Sequence, residues 1–219
     1  MSSPPSTQSA VRLTNRDIQA VTWIAQQQAV RLDTIGRMLS ARGASIHGRS
    51  LRRLAERWAA AGLVHRRRIL AEAPSIVWPT VEGLRCAGIA LKPGQRADAP
   101  SIGTLHHTLA VAEVRLAYEQ QGYAWTAERF LRGNASGGHR ADGLAERGEH
   151  RVLIEVERTR KEKERLTDIL RFNLRTPGIV ETHYWITDQM RGVVEAAAAD
   201  LEPELSSRVR VAMLPEVVR

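Results

Sequence analysis

The chain has 219 residues, 43% of them hydrophobic and 26% charged, and 32 Lys and Arg against 24 Asp and Glu give a formal net charge of +8. That composition is globular and excludes a disordered or fibrous chain. No apolar run reaches the roughly 18 residues of a bilayer span, and the single cysteine, Cys86, excludes an intramolecular disulfide and a Cys-based zinc site.

The excess charge is unevenly placed. Residues 1–100 carry 15 basic and 6 acidic side chains, whereas residues 101–219 carry 17 and 18. A basic surface displaces counterions from the phosphate backbone, so the first half is expected to meet double-stranded DNA. Met1 to Ala10 reads as a flexible tail with no apolar h-region. A cytoplasmic, nucleoid-associated protein with no membrane partner is expected.

In chain order, Thr14 is predicted to cap a helix with Asp17 in its first turn. Ile18, Val21, Ile24 and Ala25 supply its apolar face as far as about Gln28. A second helix is expected over Leu32 to Leu39, and Arg42-Gly43 marks the turn after it. In the third helix Leu51, Leu54, Ala55, Trp58 and Ala61 recur at helical spacing, with Arg49, Arg53 and Glu56 opposite and Arg52 and Arg57 flanking. Gly62 suits the left-handed position after a helix. Val64 to Leu70 and Ile76 to Trp78 read as strands joined by a turn at Ala73-Pro74-Ser75. Three helices and a basic hairpin are the layout of a winged helix-turn-helix, predicted over 11–90.

Residues 91–103 read as a linker. The second domain, 104–219, is predicted as α-β-β-β-α-β-α-β: a helix from Leu105 to Gln121 and a strand from Ala124 to Leu131 open it. A hairpin of His139 to Ala145 with Arg151 to Arg158 comes next, then a helix from Lys161 to Leu174. A strand at His183 to Thr187, a helix over Gln189 to Leu201 and a strand at Arg208 to Leu214 complete the series. The fold class expected is α/β (α+β overall).

Two constellations carry chemistry. On the third helix, residues near the start reach base edges and later ones meet the backbone. Ser45, His47 and Arg49 are therefore assigned to bases, and Arg52, Arg53 and Arg57 mainly to phosphates, because arginine grips both. Arg66, Arg67 and Arg68 are expected to track an adjacent groove. In the second half, Glu155 and Glu157 share one face of a strand, and Asp142 on the preceding strand can bring a third carboxylate. Such a trio can hold Mg²⁺ and support phosphodiester cleavage. The alternative is a structural network in which Glu155 and Glu157 pair with Arg140, Arg158, Lys161 or Arg165. His106 and His107 are expected to cap or pack, and Cys86 to be a small buried hydrophobe.

The segments LTNRDIQAV, GRSLRRLAERWAAAGLVHRRR, WPTVEGLRCAG, LHHTLAVAEVRLA, HRADGLAE and VLIEVERTR, in order over about Leu13 to Leu174, together resemble the replication-relaxation family of plasmids and integrative elements. The resemblance implies a winged helix joined to a domain similar to the PD-(D/E)XK nuclease fold. It also implies DNA binding in replication, plasmid maintenance or transfer, or transcriptional control. Carried over, it puts the nuclease acids at Asp142 and Glu155, with Glu113 as a possible further ligand. Where the motif has lysine this chain has Glu157, and Lys161 and Lys163 follow on the next helix. The expectation is a sequence-specific DNA-binding regulator, a homodimer able to meet replication or transfer proteins, with an inactive nuclease-like domain. Binding needs no cofactor. The rival is an endonuclease using Mg²⁺ or Mn²⁺.

Overall fold

The computed structural model describes residues 12–44, 46–68, 73–91, 96–131, 139–159 and 161–216. The chain divides into two compact units, 1–99 and 100–219, and together they make a mixed α+β protein.

In the first unit, α1 (Asn15–Gln27) starts from a reciprocal cap. The Thr14 hydroxyl accepts from the Asp17 backbone N–H, and the Asp17 carboxylate accepts from the Thr14 N–H at 2.8 Å. The buried arc of α1 centres on Asp17, Val21 and Ile24, so Ile18, expected inward, lies at its rim and is 41% exposed. A short strand, β1 (Val30–Arg31), leads into α2 (Leu32–Ala41), which buries Leu32, Ile35 and Leu39 as expected, and Met38 with them.

Next comes α3 (Gly48–Ala60), with Leu51, Leu54, Ala55 and Trp58 buried. Its close approach to α2 depends on Gly36, where a Cβ would stand 2.8 Å from Leu51 Cδ2 and 3.3 Å from the Ile46 carbonyl oxygen. The chain leaves α3 through Gly62 at φ +69°, the left-handed turn that glycine adopts without steric cost. Strands β2 (Val64–Arg67) and β3 (Ile76–Pro79) pair antiparallel, and β1 adds on the far side for the order β1-β3-β2. Thr80 then caps α4 (Val81–Cys86), a helix the sequence reading left out, which packs on α1.

The second unit opens with α5 (Ile102–Gln120), capped by Ser101, so the helix begins inside the expected linker. Its sheet runs β4 (Ala124–Ala127), β5 (Gly143–Arg147), β6 (His150–Glu157), β7 (Glu181–Ile186) and β8 (Val209–Met213) in spatial order. The first three are antiparallel neighbours, and β6, β7 and β8 are parallel. The strand expected over Ala124 to Leu131 stops at Ala127, because Glu128–Phe130 turns into a 3₁₀ helix. Parallel pairing demands crossovers. They are α6 (Lys163–Arg175) between β6 and β7, then α7 (Arg191–Ala199) and α8 (Pro203–Ser206) between β7 and β8.

The alternation along β6 sorts its two faces. Val152, Ile154 and Val156 pack with Ala110, Val111, Val114 and Tyr118 of α5. On the opposite face, Tyr184 and Ile186 of β7 join Leu166, Ile169 and Leu170 of α6 and Val194 of α7. In the register Glu155 stands beside Tyr184 and Glu157 beside Ile186. Paired strand residues point to the same side, so both glutamates lie on the α6 side.

Candidate nucleic-acid interface and carboxylate cluster

On α3, Arg49, Arg52, Arg53 and Glu56 follow at i, i+3, i+4 and i+7, which places them on one face, and all four are exposed. Among the described residues the Arg49, Arg52 and Arg53 guanidiniums have no ion-pair partner. His47, at the N-cap, is exposed and makes no side-chain cap bond. Ser45 lies outside the described residues. Arg67 and Arg68 on the hairpin are exposed, whereas Arg66 is half-buried and turned back onto α3. Its Nη1 donates to the Arg52 carbonyl at 3.4 Å and to Glu56 Oε1 at 3.3 Å. Arg66 thus fastens the hairpin to the helix.

Arg57 has a different neighbour from the other arginines. Its Nη2 donates to Asp17 Oδ1, which also accepts the Trp58 indole N–H at 2.8 Å. The Asp17 side chain is fully enclosed while that of Arg57 is 38% exposed. Burial alone would push the Asp17 carboxyl up, but bonds from the Thr14 backbone, Trp58, the Thr14 hydroxyl and Arg57 outweigh it and hold the pKa down at about 2. The first turn of α1 is therefore tied to the last turns of α3 by an ionised, buried carboxylate.

In the second unit, Asp142, Glu155, Glu157 and Lys161 gather where β5 begins and β6 ends. Asp142 N–H donates to the Ile154 carbonyl at 3.0 Å, and Asp142 Oδ2 takes the Val156 N–H at 2.7 Å. The side chain thus occupies the next rung of the ladder, beyond the end of β5. Asp142 Oδ1 accepts from His107 Nε2 of α5 at 2.8 Å. Glu155 Oε1 accepts both His139 Nε2 and Asn173 Nδ2 of α6, each at 2.8 Å. Lys161 pairs with Glu157 Oε2, while Glu157 Oε1 receives the Thr159 N–H at 3.2 Å. The pairing of Lys161 with Glu157 is one of those weighed in the sequence.

The electrostatics follow from this pairing. Glu155 is buried, and desolvation raises its pKa despite the bond from His139. His139 is raised by its hydrogen bond to Glu155. Burial opposes a charged His107, but the bond and charge of Asp142 prevail and raise it. Tyr184 is buried, and desolvation first, then the charges of Glu155, Glu157 and Asp142, push its hydroxyl well above the usual range. That hydroxyl has no hydrogen-bond partner among the described residues.

These residues do not fit a carboxylate-held Mg²⁺ or Mn²⁺ as they stand. Each of the three acids faces a cation or imidazole of the chain itself, and among the described residues no three His, Cys, Asp or Glu side chains converge on one ion position. Glu113 is buried on α5, six residues past His107, which is about 9 Å along the axis and about 120° round it. Lys163 pairs instead with Asp200 at 2.7 Å.

The sequence reading missed His107 as a partner of Asp142, and gave no role to His139, Asn173 or Tyr184. The partners of these carboxylates lie up to 35 residues away, and only the folded sheet brings them together. A second polar chain, also missed, runs from Arg210 through Glu181 and His183 to the Tyr118 hydroxyl. Burial raises the Tyr118 pKa to about 12, which keeps the phenol protonated.

Among the described residues no helix is long and apolar enough to cross a membrane. Comparison with protein-family models gives no match, and comparison with curated proteins gives none either.

Proposed function

We propose that the chain is a sequence-specific double-stranded DNA-binding protein whose first unit is a winged helix-turn-helix with α3 as its recognition helix. The observation that carries this reading is the face of Arg49, Arg52 and Arg53, exposed and without acidic partners among the described residues. Leaving three neighbouring guanidiniums unneutralised costs stability through repulsion, and phosphates repay that cost by releasing counterions. The buried stripe opposite fixes the helix on its own unit, and the Arg66 brace keeps Arg67 and Arg68 of the hairpin beside it. His47 and Arg49, at the start of α3, are assigned to base edges, and Arg52 and Arg53 to phosphates. Arg57, engaged by Asp17, is assigned to holding the helix.

The resemblance to the replication-relaxation family supplies the setting: a regulator of transcription, replication or transfer on a plasmid or mobile element, acting as a homodimer. The second unit, with its mixed sheet flanked by helices, is assigned as a non-catalytic relative of the PD-(D/E)XK fold. It serves dimerisation or partner binding.

The test is a gel-shift titration of the full chain on duplex DNA from its own genetic neighbourhood. Retardation of intact DNA, selective over unrelated duplex and lost with Arg49→Ala plus Arg53→Ala, is the expected result. Equal affinity of that variant would remove α3 from the interface.

A further inference from the structure

We infer that His107 and His139 stand in for a divalent cation in the second unit, so that its three carboxylates form an internal brace, not an ion site. This inference is independent of the DNA reading. Three carboxylates gathered at one end of a sheet repel one another and need positive charge or donors among them. Here the chain supplies both from four separate segments. His107 comes from α5, His139 precedes β5, Lys161 follows β6 and Asn173 lies on α6.

The geometry is that of bonds already made. Both imidazoles donate through Nε2 at 2.8 Å, a normal length for a hydrogen bond to a carboxylate. A metal would take the same imidazole only through the bare nitrogen, with that proton gone. Binding an ion therefore means breaking both bonds at once. Glu155 is only 4% exposed and its Oε1 already accepts two donors, so an incoming ion would displace His139 or Asn173 from it. Glu157, held by Lys161 and by two bonds from Thr159, occupies the position where the nuclease pattern has a lysine. As a consequence, the cluster links both faces of the sheet. Asp142 is bonded to α5 on one side, and Glu155 to α6 on the other.

The experiment compares thermal unfolding of the full chain in EDTA, in millimolar Mg²⁺ and in millimolar Mn²⁺, beside His107→Ala combined with His139→Ala. Wild type is expected to unfold at one temperature in all three. The double variant should unfold several degrees lower in EDTA and recover part of that loss in Mn²⁺, because its carboxylates are then free to take an ion. Wild-type stabilisation by Mn²⁺ that disappears in Glu155→Gln would overturn the inference, as would a folded double variant indifferent to Mn²⁺. If the double variant does not fold, water-proton relaxation of Mn²⁺ titrated with wild-type protein decides the matter. No bound fraction is expected at equimolar concentration, and stoichiometric binding lost in Glu155→Gln overturns the inference.

Discussion

Asp17 and Trp58, 41 residues apart in the chain, meet through a 2.8 Å hydrogen bond from the indole N–H to a carboxylate with no exposed surface. Truncation at Asp17 removes the cap of α1 and strands the buried indole donor together. Asp17→Ala is expected to cost about 2–3 kcal/mol, the range for an orphaned buried donor with a lost cap. Chemical denaturation checks this, and a loss below 0.5 kcal/mol, on the order of an ordinary surface substitution, would mean the bond is idle.

The same carboxylate sets an acid limb to stability. Its folded pKa of about 2 lies below the ordinary 3.8, so the folded state holds the proton less tightly than the unfolded chain. Its contribution is complete above pH 4, falls as pH drops through 4 toward 2, and amounts to about 2 kcal/mol. Wild type should lose stability over that window, and Asp17→Asn should show a flatter profile there. Parallel profiles for the two proteins would contradict the assignment.

The arginines of α3 divide into two groups with separate signatures. Arg49→Ala with Arg53→Ala is expected to leave the unfolding midpoint within a degree or two and to weaken DNA binding at least tenfold. The slope of log affinity against log salt should fall by about two, one counterion per lost phosphate contact. Arg57→Ala should do the reverse, lowering stability through Asp17 with little change in the salt slope. A steep drop in slope for Arg57→Ala alone would return it to the interface.

Those assignments show what was legible in the sequence. Thr14 and Asp17 marked the start of α1, the Leu51-Leu54-Ala55-Trp58 stripe fixed the inward face of α3, and Gly62 marked its end; all are local signals with a period or a cap. The alternation of β6 likewise separated Glu155 from Ile154. What could not be read was which long side chain turns back on its own fold. Arg57 and Arg66 look like Arg53 in sequence, yet one is claimed by Asp17 and the other by Glu56 and a backbone carbonyl. His107 and His139 were missed for the same reason, since hydrogen bonds across 35 and 16 residues leave no periodic trace. α4 escaped because six residues are too few to display a helical period.

Arg66 and Arg67 are neighbours on β2 with opposite tasks, one half-buried against α3 and one exposed. Arg66→Ala is expected to loosen the hairpin from the helix, seen as faster amide exchange in β2 and β3. Arg67→Ala should leave exchange unchanged and lower DNA affinity a few-fold at moderate salt. Identical exchange in both variants would show that the Arg66 contacts do not hold the hairpin.

Tyr184 offers the clearest test of the carboxylate cluster's internal balance. Its hydroxyl is buried beside Glu155 yet has no partner among the described residues, and desolvation together with the nearby carboxylates keeps it protonated. An unsatisfied buried hydroxyl costs free energy, and phenylalanine removes it while keeping the ring that packs against α6 and α7. Tyr184→Phe is therefore expected to be neutral or to stabilise by up to about 1 kcal/mol, measured by denaturant unfolding at neutral pH. A loss of more than about 1 kcal/mol would mean that the hydroxyl donates to one of the acids, adding a donor to those from His107, His139 and Asn173.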